Sequence, residues 1–361
     1  METRVTKNVS RKKLLLKRFL IVILVILSCG AAYSYYLVKN AESKLEVTYK
    51  PIENHEENKV IEATKSMSIL LMGVDTGNSE RTETWAGNSD SMLVMTINPK
   101  TKKTTITSLE RDILTEIEHD GETIQAKLNA AYQMGGVDLA IPTIEKMLNM
   151  KFDHYLLINM NGLAKLVDAV GGVDVENKLG FPITIQDQEP DNQIIIGTGK
   201  QHLNGEEALV YSRMRYHDPE GDYGRQKRQR EVIQAIISKM ISFDSLGNYS
   251  EILEAVSTNI QTDIPLNSSN MMNLLGYKSS LNNIEQFQLE GDDATIAGIS
   301  YQIAKADSLL EIQNRIREEL GEDKVTKLKT NAVINGSTSH KDLDESESVD
   351  NTTDEDSYFT Y

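Results

Sequence analysis

The spacing of apolar residues changes character several times along the chain. Phe19–Val38 is a run of 20 residues without a charge. As a helix rising about 1.5 Å per residue it spans about 30 Å, the hydrocarbon thickness of a bilayer. Tyr33, Tyr35 and Tyr36 sit at its far end, as in an interfacial aromatic belt, and the run is too long for a cleaved signal peptide. Asn40–Ser66 is polar, has no period and predicts a stalk. From Met67 the pattern turns to short branched runs: Ser68–Val74 and Ser91–Asn98 predict buried strands, and the turn Asn98–Lys103 leads into a third, Thr104–Leu109. A 3.6-residue period then predicts a helix over Val137–Met150, starting near Leu139 so that Pro142 falls in its first turn. Phe152–Ile158 reads as a strand. Leu163, Leu166, Val167 and Val170 form a helix face that Gly171–Gly172 ends before a strand at Val173–Val175. Asn204-Gly-Glu-Glu207 is a capping box, Val232–Met240 is amphipathic, and 250–320 reads as helical. Helices alternating with strands predict a layered α/β fold.

Charge adds orientation to this picture. The 361 residues carry 38 Lys+Arg against 54 Asp+Glu, a net charge of −16. Residues 1–18 hold +6 of it (Arg4, Lys7, Arg11, Lys12, Lys13, Lys17 and Arg18 against Glu2), so the rest sums to −22. Basic residues on the near side of the apolar run predict a cytoplasmic N-terminus and a single-pass type II membrane protein with its acidic bulk outside. The acidic bulk excludes general affinity for nucleic acid, and one cysteine, Cys29, excludes an internal disulfide or a cysteine-built metal site. The expected organisation is a basic N-terminus over 1–18, an anchor over 19–38, a stalk over 39–65, a folded domain over 66–325, and an acidic disordered tail over 337–361.

Candidate chemistry collects in two places. The first predicted strand ends at Asp75 and Asp90 precedes the second, so antiparallel pairing brings both carboxylates to one sheet edge, where Arg111 and Asp112 also emerge. The alternative is an N-cap with exposed loop charges. The second place is 213–230, with six basic side chains and three acids. Arg213 and Arg215 share an extended face, Asp222 reads as an N-cap, and Arg225, Arg228 and Gln229 share a helix face. Guanidinium forks match phosphate oxygens, so this cluster points to a phosphate-rich ligand; the alternative is a solvated face paired with Asp218, Glu220 and Asp222. Asp75 and Asp90 suit Mg²⁺ shared with phosphate. The histidines lack metal-ligand spacing.

Seven segments in this order resemble the LytR-CpsA-Psr family of Gram-positive cell-envelope proteins: Leu71-Met-Gly-Val-Asp75, Gly87-Asn-Ser-Asp90-Ser-Met, Ser108-Leu-Glu-Arg111-Asp112, Lys127-Leu-Asn-Ala-Ala-Tyr132-Gln-Met-Gly-Gly136, Val170-Gly-Gly-Val-Asp174-Val, Leu203-Asn-Gly-Glu-Glu-Ala-Leu-Val-Tyr-Ser-Arg213-Met-Arg215 and Gly221-Asp-Tyr-Gly-Arg225-Gln-Lys-Arg228-Gln229-Arg230. Asn88, where the family often has Arg, and Leu109-Glu110, where it often has Ile-Pro, resemble the LytR-type branch. The resemblance implies an α/β/α sandwich with a central mixed β-sheet, preceded by one N-terminal transmembrane helix. It implies a phosphotransferase that attaches glycopolymers (teichoic acid, capsule or related polysaccharide) from a polyprenyl-pyrophosphate carrier to peptidoglycan at the outer face of the cell membrane. It implies that Arg111, Arg213, Arg215 and Arg225, assisted by Arg228 and Gln229, hold the pyrophosphate. Asp75 and Asp90 would bind Mg²⁺ or Mn²⁺, and one of them would take the acceptor proton. A polyprenyl-pyrophosphate pyrophosphatase is an alternative; a transcription attenuator, another role attached to the family, finds too few cytoplasmic residues for a DNA-binding fold.

Overall fold

The computed structural model describes residues 46–52, 61–75, 85–184, 193–215, 217–242, 252 and 256–334. Among the described residues twelve strands occupy Met67–Asp75 (β1), Asn88–Asn98 (β2), Lys103–Leu109 (β3), Leu114–His119 (β4), Glu122–Lys127 (β5), His154–Asn159 (β6), Val173–Asn177 (β7), Gly199–Leu203 (β8), Ile260–Thr262 (β9), Ile284–Gln288 (β10), Gly291–Ile296 (β11) and Ile299–Ala304 (β12). The α-helices are Ala130–Leu148 (α1), Met160–Ala169 (α2), Gly205–Arg213 (α3), Gly221–Ser242 (α4), Ser268–Leu275 (α5), Lys278–Leu281 (α6) and Ala306–Leu320 (α7).

Six strands form a mixed central sheet in the order β10-β3-β2-β1-β6-β9. The pairs β1/β2, β2/β3 and β6/β9 are antiparallel, and β1/β6 and β3/β10 are parallel. β1 and β2 are largely apolar on both faces, because successive side chains alternate sides and each side meets helices, whereas β3 buries Thr104, Thr105, Thr107 and Ser108. Leu70, Met72, Val74, Met92 and Val94 face Ile141 and Ile144 of α1 and Leu309 and Ile312 of α7. Met67, Ile69, Leu93, Met95 and Ile106 face the other way, with Ile233 and Ile237 of α4 and Leu274 of α5 packed against them. Each fully buried side chain of this size contributes about 1.5–3 kcal/mol relative to exposure. This is a mixed α/β fold with helices on both faces of its sheet. A separate apolar cluster joins α2, β7, β8, α3 and the outer side of α4 through Val167, Val173, Tyr211 and Val232.

The structure corrects three expectations. The helix predicted to start near Leu139 resumes at Val137 after a break at Gly135 (φ −144°) and Gly136 (φ 60°, ψ −148°) that joins it to an unexpected helical stretch from Ala130, so Pro142 lies in its second turn. Pro142 removes one backbone donor there, and the Thr143 hydroxyl donates to the Leu139 carbonyl at 2.7 Å beside it. The region 250–320 is not all helical: it contains β9 to β12, and β10 is an edge strand of the central sheet. Its strand Ile284–Gln288 (IEQFQ) is half polar, and its partner β3 lies far away in sequence. Finally, the described part of the predicted stalk belongs to the folded body, since Tyr49 bridges Thr262 and Ile52 and Ile61 are 5% and 3% exposed. At the other end the body runs past residue 325, with Ala332 and Ile334 bridging Thr115 and Ala304. The predicted anchor Phe19–Val38 and the tail 337–361 lie outside the described residues. Among the described residues no helix is long and apolar enough to cross a membrane.

Candidate active site

β1 delivers Asp75 to the end of the sheet opposite Asn88. The register there runs Gly73↔Ser91 and Val74↔Ser89, so Asp90 is the extra residue of a β-bulge inside β2 rather than the residue before it. A bulge re-aims the side chain it carries. Asp90 Oδ1 accepts a hydrogen bond from Arg111 NH1 at 2.5 Å, and Arg111 follows β3. From α4, Arg225 NH2 lies 3.4 Å from the Asp90 carbonyl and 2.8 Å from Asp222 Oδ1. At the end of α3, which the Asn204/Glu207 capping box opens, Arg213 NH2 lies 3.7 Å from Asp75 Oδ2. Five segments thus bring Asp75, Asp90, Arg111, Arg213 and Arg225 together. Lys127 Nζ joins the rim through Asp112 at 3.0 Å, which itself lies 3.7 Å from Arg111 Nε. Arg215 lies in the turn after α3, its carbonyl accepting the Asp218 amide at 3.1 Å.

Arg228 is elsewhere. Its Nε donates to the Tyr211 carbonyl at 2.8 Å, and its two terminal nitrogens donate to the Met214 carbonyl and to Asp218. Arg228 and Asp218 side chains are 7% and 1% exposed. Every arm of this guanidinium is committed to clamping α4 against the end of α3, so its assignment to the ligand is replaced by a structural one. Gln229 follows it on α4, with Oε1 buried and without a hydrogen-bond partner among the described residues. Asp222 is also corrected: it sits within the first turn of α4, accepting from Arg225 and from Gln226 Nε2 at 3.1 Å, rather than capping the helix. The paired-face alternative therefore holds for part of 213–230, because Arg225, Lys227 and Arg228 meet Asp222, Glu220 and Asp218.

Beneath the cluster lies a polar layer the sequence did not single out. α4 turns Asp222, Arg225, Gln226 and Arg230 inward, replacing the apolar stripe that Ile233 and Ile237 continue. Arg230 donates to Ser108 Oγ at 2.5 Å and to Gln286 and Gln288 Oε1 at 3.3 Å each. Burial pushes its pKa down to about 10. Glu110, 2% exposed, is pushed up to about 8 by burial and then by the neighbouring Asp222 charge. Burial opposes ionisation of Asp222 too, but Arg225 and Arg111 outweigh it and hold Asp222 below the usual carboxylate range. One proton thus resides on Glu110 while Asp222 stays charged. Burial and then Arg111 depress Arg225, whereas Asp90, Asp222 and Asp112 overcome burial and raise Arg111. The i, i+4 spacing of Asp222, Gln226 and Arg230 is the signal that points to this layer in the sequence.

Arg111 Nε and Arg225 Nε are buried donors without a hydrogen-bond partner among the described residues. The cluster has donors held in place for an anion and carboxylates that compensate them. Among the described residues no group of three or more His, Cys, Asp or Glu is arranged for a metal. Asp75 and Asp90 are a hard-oxygen pair, a donor set that fits a Mg²⁺ completed by phosphate oxygens and water.

An arginine–carboxylate cluster at the edge of a mixed α/β sheet has the chemistry to hold phosphate oxygens. The LytR_cpsA_psr family model matches residues 33–318, and the chain belongs to that family. It is 48% identical over 329 residues to biofilm regulatory protein A of Streptococcus mutans, covering 90% of this chain and 81% of that protein. It is 40% identical over 307 residues to the polyisoprenyl-teichoic acid–peptidoglycan teichoic acid transferase TagU of Enterococcus faecalis, covering 83% and 94%. The crystal structure of protein gbs0355 from Streptococcus agalactiae superposes with a TM-score of 0.73 at 51% identity, covering 78% of this chain and 96% of that one.

Proposed function

We propose that this protein is a cell-envelope phosphotransferase that moves a glycopolymer from a polyprenyl-pyrophosphate carrier onto peptidoglycan. The convergence of Arg111, Arg213 and Arg225 on Asp75 and Asp90 carries this reading; the likeness to TagU supports the polymer and acceptor classes. Arg111, Arg213 and Arg225, assisted by Arg215, bind the pyrophosphate and stabilise charge that grows on the leaving phosphate. Asp75 or Asp90 accepts the proton of an acceptor hydroxyl. That oxygen bonds to the glycan-linked phosphorus, the P–O–P bond breaks, and polyprenyl phosphate leaves with the electron pair. Asp75 and Asp90 would hold Mg²⁺ or Mn²⁺, which supplies charge neutralisation to the phosphate oxygens when bound. Asp222 and the protonated Glu110 position the arginines from below. The run Phe19–Val38 anchors the chain as a type II membrane protein with the body outside the cell membrane of a Gram-positive bacterium, ahead of a tail at 337–361.

The test uses the full chain in detergent with a lipid-linked glycan, Mg²⁺ and peptidoglycan. Folded Arg111→Ala and Asp75→Ala proteins are expected to lose transfer by about 10²–10³-fold or more, the usual effect of removing a group that acts on the transition state. Normal transfer by either folded variant refutes the role of that residue. Release of glycan phosphate without a peptidoglycan adduct would make the protein a pyrophosphatase instead.

A further inference from the structure

The side of Asp75 away from the arginines holds a second feature. An open cleft of about 750 Å³ lies between the Trp85–Asn88 segment, the start of α1 and the β9 edge. Its floor meets the catalytic edge directly, because Asn88 is the ladder partner of Asp75. The lining is unlike the arginine side: Trp85, Asn88, Gln133, Thr258 and Gln261 are neutral, and Lys50 is the one charged residue among those that line it. Trp85 is half-buried, and its carbonyl is held by the Tyr132 hydroxyl at 3.1 Å, which fixes the segment that carries the indole. Asn88, Gln133 and Thr258 are exposed; the Thr258 hydroxyl accepts from Asn259 Nδ2 at 3.0 Å and keeps its own proton to donate, and the two amides face solvent.

The backbone is shaped for this opening. Gly136 lines the cleft at φ 60°, ψ −148°, a combination essentially restricted to glycine, and it interrupts α1 there. A cleft that combines one aromatic face with convergent neutral donors and acceptors matches a sugar, whose C–H face packs on a ring while its hydroxyls and acetamide groups take hydrogen bonds. It does not match a pyrophosphate, which calls for guanidinium forks, nor a polyprenyl chain, which would leave four polar side chains unpaired.

We propose that this cleft is the acceptor subsite, binding the neutral amino-sugar strand of the acceptor glycan so that its hydroxyl reaches the Asp75 edge opposite the pyrophosphate. The inference rests on the transferase reading for the word acceptor, but the binding it asserts can be measured without transfer. Trp85 is the sole tryptophan of the chain, so its fluorescence reports on the cleft alone. Titrating the full chain with a β-1,4-linked N-acetylglucosamine tetramer is expected to give a saturable change in that emission, whereas inorganic pyrophosphate gives none. Gln133→Ala and Gln261→Ala should each weaken the tetramer about tenfold, the effect of about 1.4 kcal/mol. They should raise KM for the acceptor glycan and leave KM for the lipid-linked donor unchanged. A saturable change with no transfer under any condition would sink the transferase reading and keep the sugar site. Transfer that is normal in both variants, with emission indifferent to the tetramer, overturns the cleft. An emission change produced by short-chain polyprenyl phosphate and not by the tetramer overturns it as well, since the cleft would then be a lipid mouth.

Discussion

Replacing Arg228 with Ala separates the arginines that hold the fold from those that hold a ligand. Arg228 makes an ion pair with Asp218 in which the two side chains are 7% and 1% exposed, and it also satisfies the Tyr211 and Met214 carbonyls. The packing is close enough that a Cβ on Gly224 would lie 2.0 Å from Asp218 Oδ2. Arg228→Ala leaves the Asp218 carboxylate buried without its counter-ion, which costs about 3–5 kcal/mol. At about 2–4 °C per kcal/mol for a domain of this size, Tm is expected to fall by roughly 6–20 °C. Pairing Arg228→Met with Asp218→Leu removes both charges and is expected to recover most of that loss, because the buried unpaired carboxylate is what costs stability. Circular dichroism melts of wild type, single and double variants measure this, with glycopolymer transfer assayed below the lowest Tm. The reasoning fails if Arg228→Ala melts with wild type yet loses transfer, for then this guanidinium contacts substrate.

Two further outcomes follow from named residues. Glu110 keeps its proton in the folded protein up to about pH 8 but ionises near 4.5 when unfolded, so its contribution to stability is full below about 4.5 and disappears as pH rises through about 8. Wild type should therefore lose more Tm between about pH 5 and 8 than Glu110→Gln does, and equal slopes would refute the buried neutral acid. Gly136→Ala meets no atom within 4 Å, so its penalty comes from the backbone alone; urea unfolding should show about 1–3 kcal/mol lost, and an unchanged midpoint would refute the strained conformation.

The alternation of Ile69, Leu70, Leu71 and Met72 and the turn at Asn98–Lys103 made β1 to β3 legible, because their pairing is local, β1 and β2 are largely apolar on both faces, and β3 is rich in β-branched Thr and Ile. Those same strands place Asp75, Asp90 and Arg111 at one edge without any knowledge of the rest. β10 stayed hidden because its alternation mixes Glu285 and Gln286 with Phe287, and its pairing with β3 closes a long loop. The bulge at Asp90 was hidden too, since nothing in the run of residues says which one the ladder skips. Residue spacing placed Arg225, Arg228 and Gln229 on one helix face, and Arg230 follows on the same helix. It could not show that Asp218 and Ser108, from other segments, would occupy two of them from inside.

The bridge between Tyr49 and Thr262 sets the reach of the enzyme. With the anchor proposed at Phe19–Val38, only residues 39–45 separate the bilayer from the first described residue, Glu46. Fully stretched, that tether is about 25 Å, shorter than a domain is wide. The β9 edge and the neighbouring cleft would work close to the membrane surface, within reach of a carrier that never leaves it. With that anchor, a strand of the wall would have to come down to the enzyme.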